Sequence, residues 1–524
     1  MKKRLLPLCF LLLASLKGYA QLEHIVRGDC TPVLETEGSA ANRAQQPRHL
    51  PAINKNWDAD KVYHQLVILV SFSDLDFKME NPRDTYDDIF NKEGYNQRNG
   101  AGCVADYFRS QSNGLVNMHF EVYGPIKVET KAQPYDNPTD KTRNYGQTIM
   151  SGATKQFIAD NPDIDLSIYD WNGDGAIEQV IYVFAGFSGN QNVSTSYGYV
   201  WPNTSTISPI TTPQGITISN YTASCELWSN GVSCGIGTIC HEFTHSLGLP
   251  DIYPTNSDGD YSVVDEWDLM DGGNFINYGW CPPNYSALEK ILMGWLTPVE
   301  LTEPTHIDGM KPCADGGEVY LVRNTKNEYY LLENRQQSGW DLGIPGRGLA
   351  IFHVNYNASK WSSNTVNATK NAYRYDLVHA DNMDYNTWYD YIIAEGSNNP
   401  YVNKPRLNSR ILSTSPYPLR TADPTPTVNS ELTDTSVPAA VVYNENAEGK
   451  RLMSKPITNI TQNPDGTIAF DFMGGNNDGI VTLTNTAPQT HQVYNLMGRA
   501  VHRTLPFQLL IVKQPDGSTK KVMK

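Results

Sequence analysis

The stretch GTICHEFTHSLGLPDIY, residues 237–253, sets two histidines four positions apart, with a glutamate directly after the first and an aspartate six positions after the second. On an α-helix that spacing brings both imidazoles onto one face about one turn apart, so His241 and His245 can reach a single ion. Glu242 lies on the flank of the same face. Gly248 and Pro250 end the helix and let the chain turn back, which brings Asp251 within reach as a third ligand. Two nitrogens, one carboxylate oxygen and an open fourth position suit zinc used as a Lewis acid. The plainer reading is a helix with a solvated polar face, and it gives the glycine and aspartate at those offsets no role. The pattern predicts His241, His245 and Asp251 as zinc ligands. It makes Glu242 the general base that takes a proton from a zinc-activated water and returns it to a leaving amine.

Around this segment, 524 residues suggest about two to four domains. The chain opens MKKRLLPLCFLLLASLKGYAQ, a basic start, an apolar run and a small-residue end, which reads as a signal peptide over 1–20. No later stretch is long and apolar enough for a transmembrane segment, so the expected location is secreted or at the bacterial cell surface. Losing the four basic residues of 1–20 takes the formal charge from −15 to −19. With no basic cluster, nucleic acid is excluded as a natural partner. Seven cysteines remain beyond the leader, an odd number. A Cys225–Cys234 bridge is the local option outside the cytoplasm, and connectivity cannot be read from spacing.

Residues 21–59 are turn-rich and read as a pro-segment or N-terminal arm. LVILVSF (66–72) and IEQVIYVFAGF (177–187) read as buried strands, NMHFEVY (117–123) as an alternating one, and CVADYFRS (103–110) and NYGQTIMSGATKQFIAD (144–160) as helices. That alternation predicts an α/β sheet core. After about residue 298 the runs EVYLVRN, EYYLLENR, GLAIFHVNY and TIAFDFMG predict a β-rich, sandwich-like accessory domain over 298–474. The end, 475–524, alternates again around an Asp516-Gly517 turn and reads as a small C-terminal β module.

HEFTHSLGLPD resembles the extended zinc motif of metzincin-like metalloendopeptidases whose third ligand is aspartate. With LVILVSFSD (66–74), DIFNKEGYN (88–96), VADYFRSQSNGLV (104–116), WDLMDGG (267–273), SALEKILMGWL (286–296) and the run 329–356, it is similar to the immune inhibitor A family of secreted bacterial metallopeptidases. The resemblance spans roughly 60–356 and implies a metzincin-like catalytic domain over 60–297 that cleaves protein or peptide substrates. By the same likeness Met270 would form an apolar floor under the histidines. Gly272 stands where many metzincins carry an oxyanion-stabilising tyrosine, which leaves Tyr278 and Tyr285 as substitutes to examine. The tail HQVYNLMGRAVHRTLPFQLLIVKQPDGSTKKVMK (491–524) resembles a Bacteroidetes-type sorting domain, which implies an outer-membrane secretion machinery as partner. A plain hairpin is the other reading.

DWNGDG (170–175) followed by Glu178 offers Asp170, Asn172, Asp174 and Glu178 at the spacing a calcium ion wants, although Ile181 takes the position of the bidentate glutamate. An Asx-rich turn ahead of a strand is the alternative. The acidic stretch 256–260 with Asp265 reads as a turn. Cys30 and Asp29 are candidate latency ligands from the arm, set against an ordinary cysteine in a flexible segment. Glu333, Asn334 and Arg335 read as a buried ion pair or hairpin hydrogen bonding rather than catalytic groups, and His353 is set aside as a remote metal ligand because Asp251 already completes the set. The competing function is a secreted carbohydrate- or protein-binding β protein with an inert metal site.

Overall fold

The computed structural model describes residues 50–53, 55–132, 145–189, 200–228, 230–255, 263–370, 372–384, 412–420 and 427–475, with Thr387 and three strands beyond 491. Residues 1–20, which the sequence predicts as a signal peptide, Asp29, Cys30 and the 256–260 stretch lie outside these residues. The chain forms two compact units, Met1–Asn476 and Asn477–Lys524.

The first unit is built on a five-stranded sheet. Its elements run β1 (Val62–Ser71), α1 (Pro82–Asn91), α2 (Val104–Gln111), β2 (Asn117–Lys127), α3 (Tyr145–Asp160), β3 (Val180–Phe187), β4 (Asn203–Thr211), β5 (Thr217–Leu227) and α4 (Gly237–Ser246). Strand order is β2-β1-β3-β5-β4. The first four strands are parallel, and β4 closes the edge antiparallel to β5. Parallel strands are covered on both faces and so carry apolar side chains on both. Along β1, Val67 and Leu69 enter the layer shared with α1, α2 and α4, whereas Leu66, Ile68 and Val70 enter the layer shared with α3. The period of two along the strand thus feeds two separate cores.

Local signals set the helix ends. Cys103 caps α2 by accepting from the Asp106 N–H, while the Asp106 carboxylate accepts from the Cys103 N–H, a reciprocal capping box. Ser286 and Glu289 repeat the device on α5 (Ala287–Met293), and Gly294 ends that helix in the left-handed region at φ 76°.

Among the described residues beyond 298 the regular structure is mostly β. A second sheet has the order β11-β10-β9-β8-β6, from β6 (Val299–Glu300), β8 (Tyr320–Thr325), β9 (Glu328–Arg335), β10 (Gly348–Asn355) and β11 (Tyr375–Val378). A third comprises β7 (Thr305–Met310), β14 (Ile457–Gln462) and β15 (Ile468–Phe472), and β12 (Leu419–Arg420) pairs with β13 (Thr427–Asn429). A short helix, α6 (Ala358–Ser362), follows β10. The second sheet faces two ways. Leu331, Ala350, Phe352 and Val354 join the same apolar layer as α4, while Tyr330, Leu332, Leu349 and Ile351 pack with Ile307, Ile457 and Phe470 of the third sheet. The layer holding α4 therefore runs without a gap from the α/β sheet into the second sheet.

In the second unit β16 (Gln492–Tyr494), β17 (Leu509–Lys513) and β18 (Thr519–Met523) form an antiparallel three-stranded sheet.

Candidate metal centre

Helix α4 enters its position through close backbone contact. A Cβ on Gly237 would lie 2.1 Å from the Asn274 carbonyl oxygen, so only glycine lets the helix start pack against the 273–279 turn. At the other end Gly248 adopts φ 100°, and a Cβ there would meet the Pro51 carbonyl oxygen at 2.7 Å. That residue reverses the chain and delivers Asp251 to the helix face, as the spacing predicts.

His241, His245 and Asp251 are all buried, at 1%, 1% and 2% exposure, and their donor atoms lie within 4.8 Å of one another. Asp251 Oδ1 stands 3.1 Å from His241 Nε2 and 3.0 Å from His245 Nε2. Each imidazole is oriented from behind. His241 Nδ1–H donates to the Leu269 carbonyl at 2.9 Å, and His245 Nδ1–H to the Leu249 carbonyl at 2.8 Å. These bonds orient both rings so that each Nε2 faces Asp251 Oδ1. Among the described residues this is the sole group of three His, Cys, Asp or Glu side chains able to hold a metal ion.

The electrostatics favour a cation. Burial on its own would push His241 down, but the hydrogen bond with Asp251 and the charges of Glu242 and Asp251 hold it up at about 9. Burial likewise opposes ionisation of Asp251, yet the charge of His245 and its hydrogen bonds with both histidines keep it well below the usual carboxylate range. Beside them Glu242 is buried, and its Oε2 has no hydrogen-bond partner among the described residues. A buried orphan carboxylate oxygen is costly, and next to three convergent donors it fits a group that meets a ligand there. Two imidazole nitrogens and one carboxylate oxygen match the donor set of zinc.

The turn at 267–272 runs beneath the ligands. Leu269 gives its carbonyl to His241, and Met270, fully buried, gives its carbonyl to the Ile252 N–H at 2.8 Å. Asp268 shapes this turn by accepting from the Met270 N–H at 2.8 Å, and burial pushes its carboxyl up to about 7. On the far side of α4, Thr204 of β4 donates to the Glu242 carbonyl, tying the helix to the edge strand.

Residues 185–290 match the family described as the immune inhibitor A peptidase M6 catalytic domain. The chain is similar to immune inhibitor A of Bacillus thuringiensis subsp. alesti, with 26% identity over 290 residues, 47% of this chain and 41% of that protein. It is also similar to the pre-pro-metalloprotease PrtV of Vibrio cholerae serotype O1, with 24% identity over 273 residues, 44% of this chain and 29% of that one. The chain thus spans less than half the length of either curated relative.

Other predicted positions fall elsewhere. Tyr285 is buried, with its hydroxyl on Thr244 Oγ1, and the Tyr278 hydroxyl accepts from Asn230 Nδ2 at 3.1 Å. Both are engaged away from the ligand cluster. The ring beside His241 is Tyr253, stacked at 6.3 Å with an interplanar angle of 14°. Arg335 lies buried in an ion pair with Asp341 at 2.7 Å and Glu333 at 3.2 Å, and His353 is hydrogen-bonded to Glu328 at 2.9 Å. Cys225 and Cys234 are free thiols with sulfurs 3.4 Å apart.

The 170–178 loop closes on itself. Asp170 accepts from the N–H groups of Gly173, Asp174 and Gly175, Asn172 from Asp174, Asp174 from Ala176, and Glu178 from Trp171. Burial pushes Glu178 up, with Asp170 and Asp174 adding to the effect. Trp171 carries the loop onto the protein, donating to the His64 carbonyl and packing against Phe243 of α4.

Proposed function

We propose that this chain is a secreted zinc metalloendopeptidase. One observation carries the reading: two oriented imidazoles and a carboxylate oxygen, all buried, converge on one another, with a glutamate oxygen beside them that has no hydrogen-bond partner among the described residues. The match to a peptidase catalytic domain over 185–290 supports it. In this reading His241, His245 and Asp251 hold the ion. Zinc held there supplies a Lewis acid for a peptide carbonyl and lowers the pKa of a water. Glu242 accepts the proton from the attacking water through its free carboxylate oxygen and delivers it to the leaving amine. The Leu269 and Leu249 carbonyls hold the imidazoles turned so that each Nε2 faces the site.

The test is digestion of casein and a peptide library by the purified chain and by Glu242→Gln. Cleavage should stop with a chelator, return with zinc and be nearly lost in the variant, whose bound zinc should be unchanged. A variant that cleaves like the parent would remove Glu242 as the base and favour contamination or another site.

Two finer readings belong with this one. Calcium at Asp170, Asn172, Asp174 and Glu178 would brace the loop that Trp171 fastens to α4. Added calcium should then raise the thermal midpoint of the parent but not of Asp174→Asn, and equal responses would dismiss it. The 491–524 tail would act as a sorting signal for an outer-membrane secretion machinery, so its removal should leave the protein inside the cell. Unchanged export would refute that.

A further inference from the structure

We infer that Asn364, in the turn after α6, is a positioning residue for the metal site: it selects which oxygen of Asp251 faces the histidines. The inference rests on the metal reading above. Asn364 is buried, lies 113 residues from Asp251 in sequence, and grips it twice. The Asp251 backbone N–H donates to Asn364 Oδ1 at 2.6 Å, and Asn364 Nδ2 donates to Asp251 Oδ2 at 2.6 Å. Oδ2 is therefore committed to the amide. Oδ1 is left as the oxygen 3.1 and 3.0 Å from the two histidine nitrogens.

The chemistry at 364 is specific. One side chain must accept from a backbone amide and donate to a carboxylate at the same time, which a carboxamide of this length does. Aspartate would keep the first bond but set a second carboxylate against Oδ2. Leucine would make neither bond. The backbone also selects the residue, since Asn364 sits at φ 55°, where asparagine and glycine are favoured.

The turn that carries Asn364 is itself anchored. Its carbonyl accepts from Thr255 Oγ1 at 2.5 Å. Asn367 donates through Nδ2 to the Ile252 carbonyl at 3.0 Å and to the Tyr375 carbonyl of β11 at 2.8 Å. Its Oδ1 accepts from the Arg374 and Tyr375 N–H groups at 2.8 and 3.2 Å. The ligand loop 251–255 is thus bolted to the second sheet, and the geometry of the third ligand is set by a part of the chain outside the α/β region.

The experiment compares the full chain with Asn364→Gly and Asn364→Asp. Glycine keeps the left-handed backbone and removes the clamp, while aspartate keeps the shape and the first bond but replaces the donor to Oδ2 with a second carboxylate. The readouts are zinc affinity by competition with a chelator and the visible spectrum of the cobalt(II)-substituted protein. The expected result is zinc binding weaker by about 10–100-fold in both variants, the range for loss of a partner behind a ligand, with an altered cobalt band. A residue that only stabilised the fold would lower the thermal midpoint and leave affinity and band unchanged, and that outcome would overturn the inference. If Asn364→Gly does not fold, the isosteric Asn364→Asp decides alone. A parent chain that binds no zinc would instead bring down the metal reading itself.

Discussion

At the scale of the residue, the centre depends on side chains held from behind. The carbonyls of Leu269 and Leu249 decide which imidazole nitrogen faces inward, and Asn364 decides which carboxylate oxygen does. Glu242 is the exception, since its Oε2 has no hydrogen-bond partner among the described residues. A positioned proton acceptor contributes about 10²–10⁴-fold to rate, so Glu242→Gln should lower cleavage by about that factor while the ligands keep their ion. Steady-state rates beside zinc content measure the two separately. The convergence of His241, His245 and Asp251 was legible in the sequence because helix periodicity turns a spacing of four into one face and Gly248 turns the chain back toward it. Asn364 was not. It lies in a serine- and asparagine-rich loop with no periodicity, and its partner is remote in sequence.

At the scale of the element, legibility followed burial. The LVILVSF and IEQVIYVFAGF runs form β1 and β3, whose side chains fill cores on both faces. Strand β4, by contrast, is an edge strand with mostly half-exposed or exposed positions, and NTSTISPIT carries no apolar run to announce it. Its neighbour β5 alternates only weakly before its buried end. The strand β9 opens on Glu328, buried and held by His353 at 2.9 Å and by the N–H groups of Tyr443 and Asn444 at 2.6 and 2.9 Å. Burial would raise its carboxyl, but these hydrogen bonds bring it down to about 2. A depressed carboxylate stabilises the fold above its unfolded value of about 4.3 and loses that contribution as pH falls toward 2. Glu328→Gln should therefore flatten the acid limb of stability between those values. Denaturant midpoints taken across that window check it, and parallel curves for parent and variant would contradict it.

At the scale of the whole molecule, the two regions anticipated on either side of residue 298 share one apolar layer. Phe243 of α4 and Phe352 of β10 belong to the same cluster, and Asn364 and Asn367 reach across to the ligand loop. Composition separates α/β from β-rich sequence, but it carries no information about which apolar faces meet, so this continuity was invisible until the strands were in register. The second sheet is in consequence part of what holds the His241, His245 and Asp251 cluster in place. The most direct measurement is the zinc content of the purified full chain and of Asp251→Ala, by elemental analysis after dialysis. One zinc per chain in the parent, lost in the variant, is the predicted result. A parent without zinc, or a variant that keeps it, would contradict the claim that His241, His245 and Asp251 form one metal site.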